Sequence, residues 1–460
     1  MVKVEYTELL KIIRGKWNGI QGGVFTNFAI DSRKVLHSGL FFALKGNKTD
    51  GHLYINDAVR NGATGIITEK EIKGIHVFAL QTESSHKALF SLGKYARGLM
   101  NGKVIGITGS SGKTTVKEMV ALAIKTKFSV SATKGNANTE YSIPLFFLND
   151  ANPESKFFVV EMGIQKRGDM NVLTDIALPN VGVLLNAGKS HLEFLNNVKG
   201  VAGEKFGLAQ FVENSGGISV VNGDDKEFSH LLSGLNRKPV LFGFGANNDV
   251  RAHIKLIDVE RMTLEVFSFG RKAVQTFPYS GVHYAYDILA TVAVSEVIGL
   301  ELKTVLSALT EFSPISGRGN TILLSDGRVI FDETYNANPL SLEYSLSRFK
   351  NRKGNLCVIV GDMLELGKSS EKAHKESGKI IASFLPQCVI TYGKYARFIS
   401  DVCRDAGIKN VVHFTEKDSL LEYVSEIEIP EGTLIFVKGS RGMKMEEVLN
   451  ILIKRYGNNE

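Results

Sequence analysis

The sequence predicts a three-domain α/β protein built on mostly parallel sheets, and three observations carry that prediction. At about 150 residues per domain, 460 residues make about three domains, each large enough to bury a core. In the last third of the chain, short β-rich runs alternate with helix-like stretches, the signature of a parallel sheet wrapped by helices. Near residue 100 an apolar run, KVIGIT, leads through a glycine-rich turn into VKEMVALAI, where Val116, Met119, Val120, Ala123 and Ile124 recur at helical spacing.

Residues 1–99 carry the strand-like runs FTNFAI, GLFFALKG and TGIITE with one or two helices and no G-x-G-x-x-G. They form a small α/β N-terminal module without a dinucleotide fingerprint. Residues 100–313 open with the glycine-rich turn and continue with FFVVEMG and VGVLLNAG, each followed by polar residues, which makes a second α/β domain. Residues 314–460 alternate VIFDE, LCVIV, CVITYG, NVVHF and TLIFVKG with helix-like stretches such as EKAHKESGKIIASF and MEEVLNILIKRY. This predicts a C-terminal Rossmann-like α/β domain with a mostly parallel sheet. Ligands collect at the carboxyl ends of such strands, so residues 333–338, 361–367 and 438–441 are suspect. Turn residues near Asn101 and in SPISGRGN set the boundaries.

Composition narrows the class. With 43% hydrophobic and 22% charged residues and no long apolar run, the chain reads as globular, with no membrane partner. The first residues, MVKVEYTELLKIIRG, alternate charge with apolar residues and lack a signal-peptide core, which predicts a cytoplasmic protein. Cys357, Cys388 and Cys403 form no C-x-x-C pair, so reduced thiols are expected rather than a zinc site or disulfides. The net charge of +7 is scattered, without an aromatic-interleaved basic cluster. It points to a site that holds several phosphates rather than to nucleic acid.

The turn itself, GITGSSGKTT at 106–115, is an anion cradle. Unpaired N–H groups at a helix start carry the positive end of the helix dipole, and Thr108, Gly109, Ser110, Ser111, Gly112 and Thr115 present them to a phosphate. Lys113 adds a charge and Thr114 a metal-ligating hydroxyl. Ile107 stands where the strict Walker A spacing has glycine, so the match is to T-G-x-x-G-K-T. A nucleoside triphosphate is the expected ligand of a P-loop ATPase-like central domain.

Glu161 ends FFVVEMG, one strand after the turn, where a carboxylate could meet Mg²⁺ held by Thr114. His191, after the strand of LLNAGKSH, reads equally as a metal ligand or as a core or cap histidine, and Lys205 alone reads as a surface lysine. VIFDET at 329–334 admits another class: as a Walker B strand it would make the chain a motor or helicase-type ATPase. Its distance from the turn, more than two hundred residues, weighs against that.

Together these stretches resemble the Mur ligase family, through all three domains, and within it the MurF type. The resemblance runs through TGSSGKTT, KGNANTEYSIP, VVEMG, NAGKSHLE, GVAGEK, SGRGN, FDETYNANPLS, VGDMLELG and VKGSRGMKME. YNANP with GDMLELG is specific to that type, D-N-P-R of the sister enzyme is missing, and folylpolyglutamate synthases begin closer to their P-loop. The resemblance implies an ATP-dependent ligase joining D-alanyl-D-alanine to UDP-N-acetylmuramoyl-tripeptide through an acyl phosphate, as a monomer.

It also implies residue roles. Ser32 and Arg33, with Lys45 and Gly46, would contact the UDP-sugar. Lys113 would hold the β- and γ-phosphates, Thr114 and Glu161 one Mg²⁺, and His191 with a carbamoylated Lys205 a second. Asn138, His283, Asp287, Arg318, Asp332, Glu333, Tyr335 and Asn336 would complete the nucleotide site, with Arg318 among the catalytic groups. The sequence departs from the family at Asp332-Glu333-Thr334, usually Asp-Asp-Ser, at Tyr284 and Asp287, usually asparagines, and at Thr139 and Ser142, usually asparagine and glycine.

Overall fold

The computed structural model describes residues 2–18, 20, 22–46, 49–350 and 352–457. Strands collect into three large sheets and one small ribbon pairing Val4–Glu5 with Val24–Phe25. The first large sheet runs in the order Lys16–Asn18, Phe78–Gln81, Ala63–Thr68, Gly39–Phe42, Asn27–Ala29, parallel except for its first pair.

The central sheet has nine strands. From one edge, Arg271–Phe277, Met262–Ser268 and Val250–Ile257 form an antiparallel ribbon. Val240–Gly243, Ile218–Asn222, Val181–Leu184, Lys103–Thr108, Phe157–Glu161 and Val130–Ala132 continue it in parallel. The parallel strands read as continuous apolar runs because helices cover both faces; every residue of Phe157–Glu161 is buried. The ribbon was not anticipated, although MTLEVFS alternates in burial along its length, as a strand packed on one face does. Glu161 is not on the next strand in sequence, since Val130–Ala132 intervenes, but its strand pairs directly with that of the turn, Glu161 opposite Ile107.

The third sheet runs Asn320–Leu323, Val329–Glu333, Leu434–Lys438, Leu356–Gly361, Cys388–Tyr392, Asn410–Phe414, antiparallel only at its first pair. VIFDE therefore lies in a different sheet from the glycine-rich turn. That removes the Walker B alternative, which needs a strand beside the turn's own. Cys357 and Cys388 sit opposite each other on neighbouring strands as free thiols, and Cys403 is free and buried.

Helix Ser85–Gly98 fastens the first sheet to the central one. It packs on helices Ser142–Leu145 and Asp169–Ala177, and at Gly93 a Cβ would fall 2.4 Å from Pro144, so the backbones meet at glycine distance. One apolar cluster runs from Phe25 and Phe78 through Leu89 to Phe158 and Leu208. At the end of the helix the buried Arg97 guanidinium donates to Ala177 O (3.1 Å), Met100 O (2.6 Å) and Gly102 O (3.1 Å). Replacing Arg97 with Ala leaves three carbonyls without their donor. The expected cost is about 3 kcal/mol, read as a lower urea midpoint for the transition that includes this helix; an unchanged midpoint would show that water serves those carbonyls as well.

Candidate active site

The turn after Lys103–Thr108 enters helix Lys113–Lys125 through Gly112, whose φ of 83° is left-handed. Glycine is required there twice over, because a Cβ would also lie 2.6 Å from Asp287 Oδ1. Asn186, at the end of the neighbouring strand, holds the loop: its Oδ1 accepts from Ser110 N (3.0 Å) and Ser111 N (2.9 Å). Lys113 Nζ folds back over the turn and donates to Gly109 O at 2.8 Å. Burial lowers the Lys113 pKa, with the Glu161 carboxylate opposing.

Behind the turn, Thr114 Oγ1 donates to Glu161 Oε2 at 2.7 Å and Asn138 Nδ2 to Glu161 Oε1 at 2.8 Å. Asn138 is aimed by the loop before it, whose Thr133 and Gly135 carbonyls accept from the buried Lys117 Nζ at 2.5 and 3.1 Å. A cavity of about 270 Å³ opens on this wall, and Ser110, Ser111, Gly112, Lys113 and Thr115 face it together with Asn138 and Glu161. His191 reaches the same cavity from the loop after Val181–Leu184. Its Nδ1 lies 2.8 Å from Glu365 Oε2, and that contact holds the Glu365 carboxyl below its ordinary value.

The opposite wall comes from the third sheet and the helix Val282–Val297. Arg318 stacks its guanidinium over the Tyr335 ring at 3.7 Å, and both face the cavity with Glu333 and Asn336. Burial pushes the Glu333 carboxyl up, but Lys438 (3.2 Å), His283 and Arg348 outweigh it, and the group ends below its ordinary value. His283 and Asp287 face the cavity from their helix; burial, reinforced by Glu333, raises the Asp287 pKa well above its ordinary value.

Several expected residues stand elsewhere. Asp332 is 1% exposed and spends its oxygens on Gly317 N (2.6 Å) and on Thr334 N and Oγ1 (3.2 and 2.6 Å). Adjacent residues of a strand point to opposite faces, so Glu333 faces the cavity while Asp332, outside its lining, fastens the Arg318 loop. Tyr284 is buried and donates to Arg318 O at 2.9 Å. Thr108 and Gly109 lie beneath the turn, and Thr114 lies one hydrogen bond behind Glu161.

Lys205 is no surface lysine. It is 1% exposed on helix Val198–Asn214 and does not line the cavity. Burial and the charge of Lys113 push its pKa well down. Among the described residues no three His, Cys, Asp or Glu side chains cluster to hold a metal ion. One hydroxyl and one carboxylate nonetheless fit Mg²⁺ beside a nucleotide, since that ion keeps its waters and phosphate oxygens as most of its ligands.

Ser32, Arg33, Lys45 and Gly46, near the start of the chain, line a second cavity of about 1020 Å³ together with Tyr141 from the KGNANTEY loop. Arg33 holds Asp31 through Nε and Nη2 at 2.9 and 2.8 Å, and this hydrogen bonding takes the Asp31 carboxyl to about 2.

Sequence reasoning missed Asn186, Tyr286 and Tyr344 as cavity residues. Asn186 follows an apolar strand and carried that signal; the tyrosines, stacked with centroids 5.8 Å apart, come from two helices far apart in the chain and carried none.

Comparison with known proteins agrees with this layout. Family models match in three successive stretches: the Mur ligase family catalytic domain over residues 24–89, the Mur ligase middle domain over 107–295 and the Mur ligase glutamate ligase domain over 317–441. The UDP-N-acetylmuramoyl-tripeptide–D-alanyl-D-alanine ligase of Bacillus subtilis is 30% identical, with 99% of each chain covered. Among solved structures, a MurF ligase from Thermotoga maritima in complex with ADP is 29% identical, with a TM-score of 0.83 over 94% of this chain and 97% of that one. MurF from Acinetobacter baumannii superposes with a TM-score of 0.90 at 25% identity, covering 98% and 99%. With the three matches falling in the order of the three sheets, and a relative alike from end to end, the chain belongs to the Mur ligase family.

Proposed function

We propose that this chain is an ATP-dependent ligase of peptidoglycan precursor synthesis that joins D-alanyl-D-alanine to UDP-N-acetylmuramoyl-tripeptide, releasing ADP and phosphate. The observation that carries the reading is the cavity itself: a phosphate turn, a carboxylate and a histidine from one sheet face an arginine and a carboxylate from another. The full-length relatives that bear this activity's name support it.

A carboxylate is a poor acyl donor, so the peptide carboxylate first takes the γ-phosphoryl group of ATP. Lys113 swings from Gly109 O to the β- and γ-phosphates, and the N–H groups of the turn hold the same oxygens. Thr114 and Glu161 would hold one Mg²⁺ and His191 with Lys205 a second, and the ions would supply neutralisation of the phosphate charge. Lys205 suits the second place as a carbamate: burial and Lys113 lower its pKa and so favour the neutral amine, which would add to CO₂, lose a proton and become a carboxylate-like ligand. Arg318 closes the site from the third sheet. The amine of D-alanyl-D-alanine, with a pKa near 8, then attacks the acyl phosphate, and the tetrahedral adduct collapses to amide and phosphate.

The cavity holding Ser32, Arg33, Lys45 and Gly46 takes the UDP-sugar. In this reading the enzyme works as a cytoplasmic monomer without nucleic-acid or membrane partners, and the scatter of its basic residues along the sequence supports the first of those absences.

Phosphate release from ATP should require both UDP-N-acetylmuramoyl-tripeptide and D-alanyl-D-alanine and yield a heavier UDP-peptide by mass; release stimulated instead by DNA or RNA would overturn the reading. Lys113→Ala should cut ligation roughly a thousandfold or more with an unchanged circular dichroism spectrum, whereas retained turnover would remove Lys113 from the phosphate site.

His283, beside the nucleotide, gives a pH signature. Burial takes its imidazole down to about 4, Glu333 opposing and Arg348 and Lys438 adding to it, and its Nδ1 has no partner. The unfolded chain binds this proton near pH 6.5 and the folded chain does not, so the contribution is complete above 6.5 and lost as the pH falls towards 4. Lowering the pH from 7.5 to 5 should therefore cost the protein about 2 kcal/mol that a His283→Gln variant does not lose. Equal losses in urea titrations of the two proteins would count against a neutral His283.

A further inference from the structure

The contact between His191 and Glu365 joins two separate units of the protein. His191 stands in the loop after Val181–Leu184 of the central sheet, and Glu365 in the loop after Leu356–Gly361 of the third. Their side chains meet at 2.8 Å, Nδ1 to Oε2. The same seam is closed by Lys189 Nζ on Glu376 Oε2 at 2.5 Å and by Gly367 against Glu193, where a Cβ would fall 3.6 Å from Glu193 Cα. Both partners of the central contact hold left-handed backbone, with φ of 53° at His191 and 63° at Glu365. Glu365 is 55% exposed and His191 25%, and an ion pair so open to water adds little to stability. Stability therefore does not account for two residues held in an uncommon conformation to meet.

We propose that Glu365 is a positioning residue for the metal side of the reaction. In this role its Oε2, 2.8 Å from His191 Nδ1, takes the Nδ1–H and so leaves Nε2 as the nitrogen with a lone pair, in a residue that faces the cavity. A metal-ligating histidine commonly gives its other N–H to a carboxylate, which sets the tautomer and the ring plane. Here that carboxylate comes from the other unit, so the imidazole is fixed as a ligand only while the third sheet sits against the central one. Metal binding and the seating of the C-terminal unit are thereby coupled. The proposal rests on His191 being a metal ligand.

The test is Mn²⁺ binding by the full chain in the presence of ADP, followed by electron paramagnetic resonance, for the wild type, Glu365→Ala, Glu365→Gln and His191→Ala. Glu365→Ala should weaken one Mn²⁺ by about 10- to 100-fold and leave the other unchanged. Glu365→Gln, whose amide oxygen still accepts from Nδ1–H, should recover part of the loss. The Mg²⁺ concentration for half-maximal ligation should rise in the same order. Loss of one ion in His191→Ala with none lost in Glu365→Ala would overturn the role of Glu365 alone. Both ions retained in His191→Ala would overturn the assignment of His191, and this role with it.

Discussion

The site depends first on one strand pairing. Phe157–Glu161 lies parallel to Lys103–Thr108 with Glu161 opposite Ile107, so the last carboxylate of one strand stands level with the turn that ends the other. The register brings Thr114 Oγ1 to 2.7 Å from Glu161 Oε2. A slip of one residue would turn Glu161 to the opposite face of the sheet, and the carboxylate would leave the turn. The apolar runs KVIGIT and FFVVE hold that register because both faces of the sheet are buried, and the functional group is a passenger on the hydrophobic pattern.

Parallel strands carry their carboxyl ends to one edge, and two sheets present such edges to the same cavity. The central sheet supplies the turn and Glu161, and the third sheet supplies Glu333 and Lys438 at the ends of paired strands. The charges there are poorly balanced. Burial lowers the pKa of Lys113 and of Lys205, Lys113 lowers Lys205 further, and Glu333 is already matched by Lys438. A polyphosphate would relieve this imbalance, since buried cations are costly until an anion joins them. Placing Lys113 and Lys205 so close that one lowers the pKa of the other is a cost in folding that fits a site built for a highly charged ligand.

Much of this was legible in the sequence, for physical reasons that differ by residue. The turn was legible because a phosphate cradle needs small residues, Lys and Thr at fixed offsets, and Glu161 because a buried strand ends at it. Lys205 was not: a lysine in a helix looks exposed until packing places it, and only the resemblance singled it out. Asp332 and Glu333 were ambiguous because the pair reads alike in sequence, while the pleat sends one into the loop and the other into the cavity. Tyr286 and Tyr344 come from helices nearly sixty residues apart, and their stacking exists only when two units meet.

The departures from the family pattern follow the same logic. Tyr284 stands where the family has asparagine, yet it faces the core and supports the Arg318 carbonyl, so its effect on the site passes through the loop that carries Arg318. Asp287 replaces another asparagine and is buried against Gly112. An ionised aspartate there would repel the phosphates that the turn attracts. Burial and Glu333 raise its pKa, and in the protonated form that this favours the carboxyl offers one donor and one acceptor, the hydrogen-bonding face of the amide it replaces. The substitution thus keeps the hydrogen-bonding pattern of asparagine in reach through its surroundings, burial first and the Glu333 charge second.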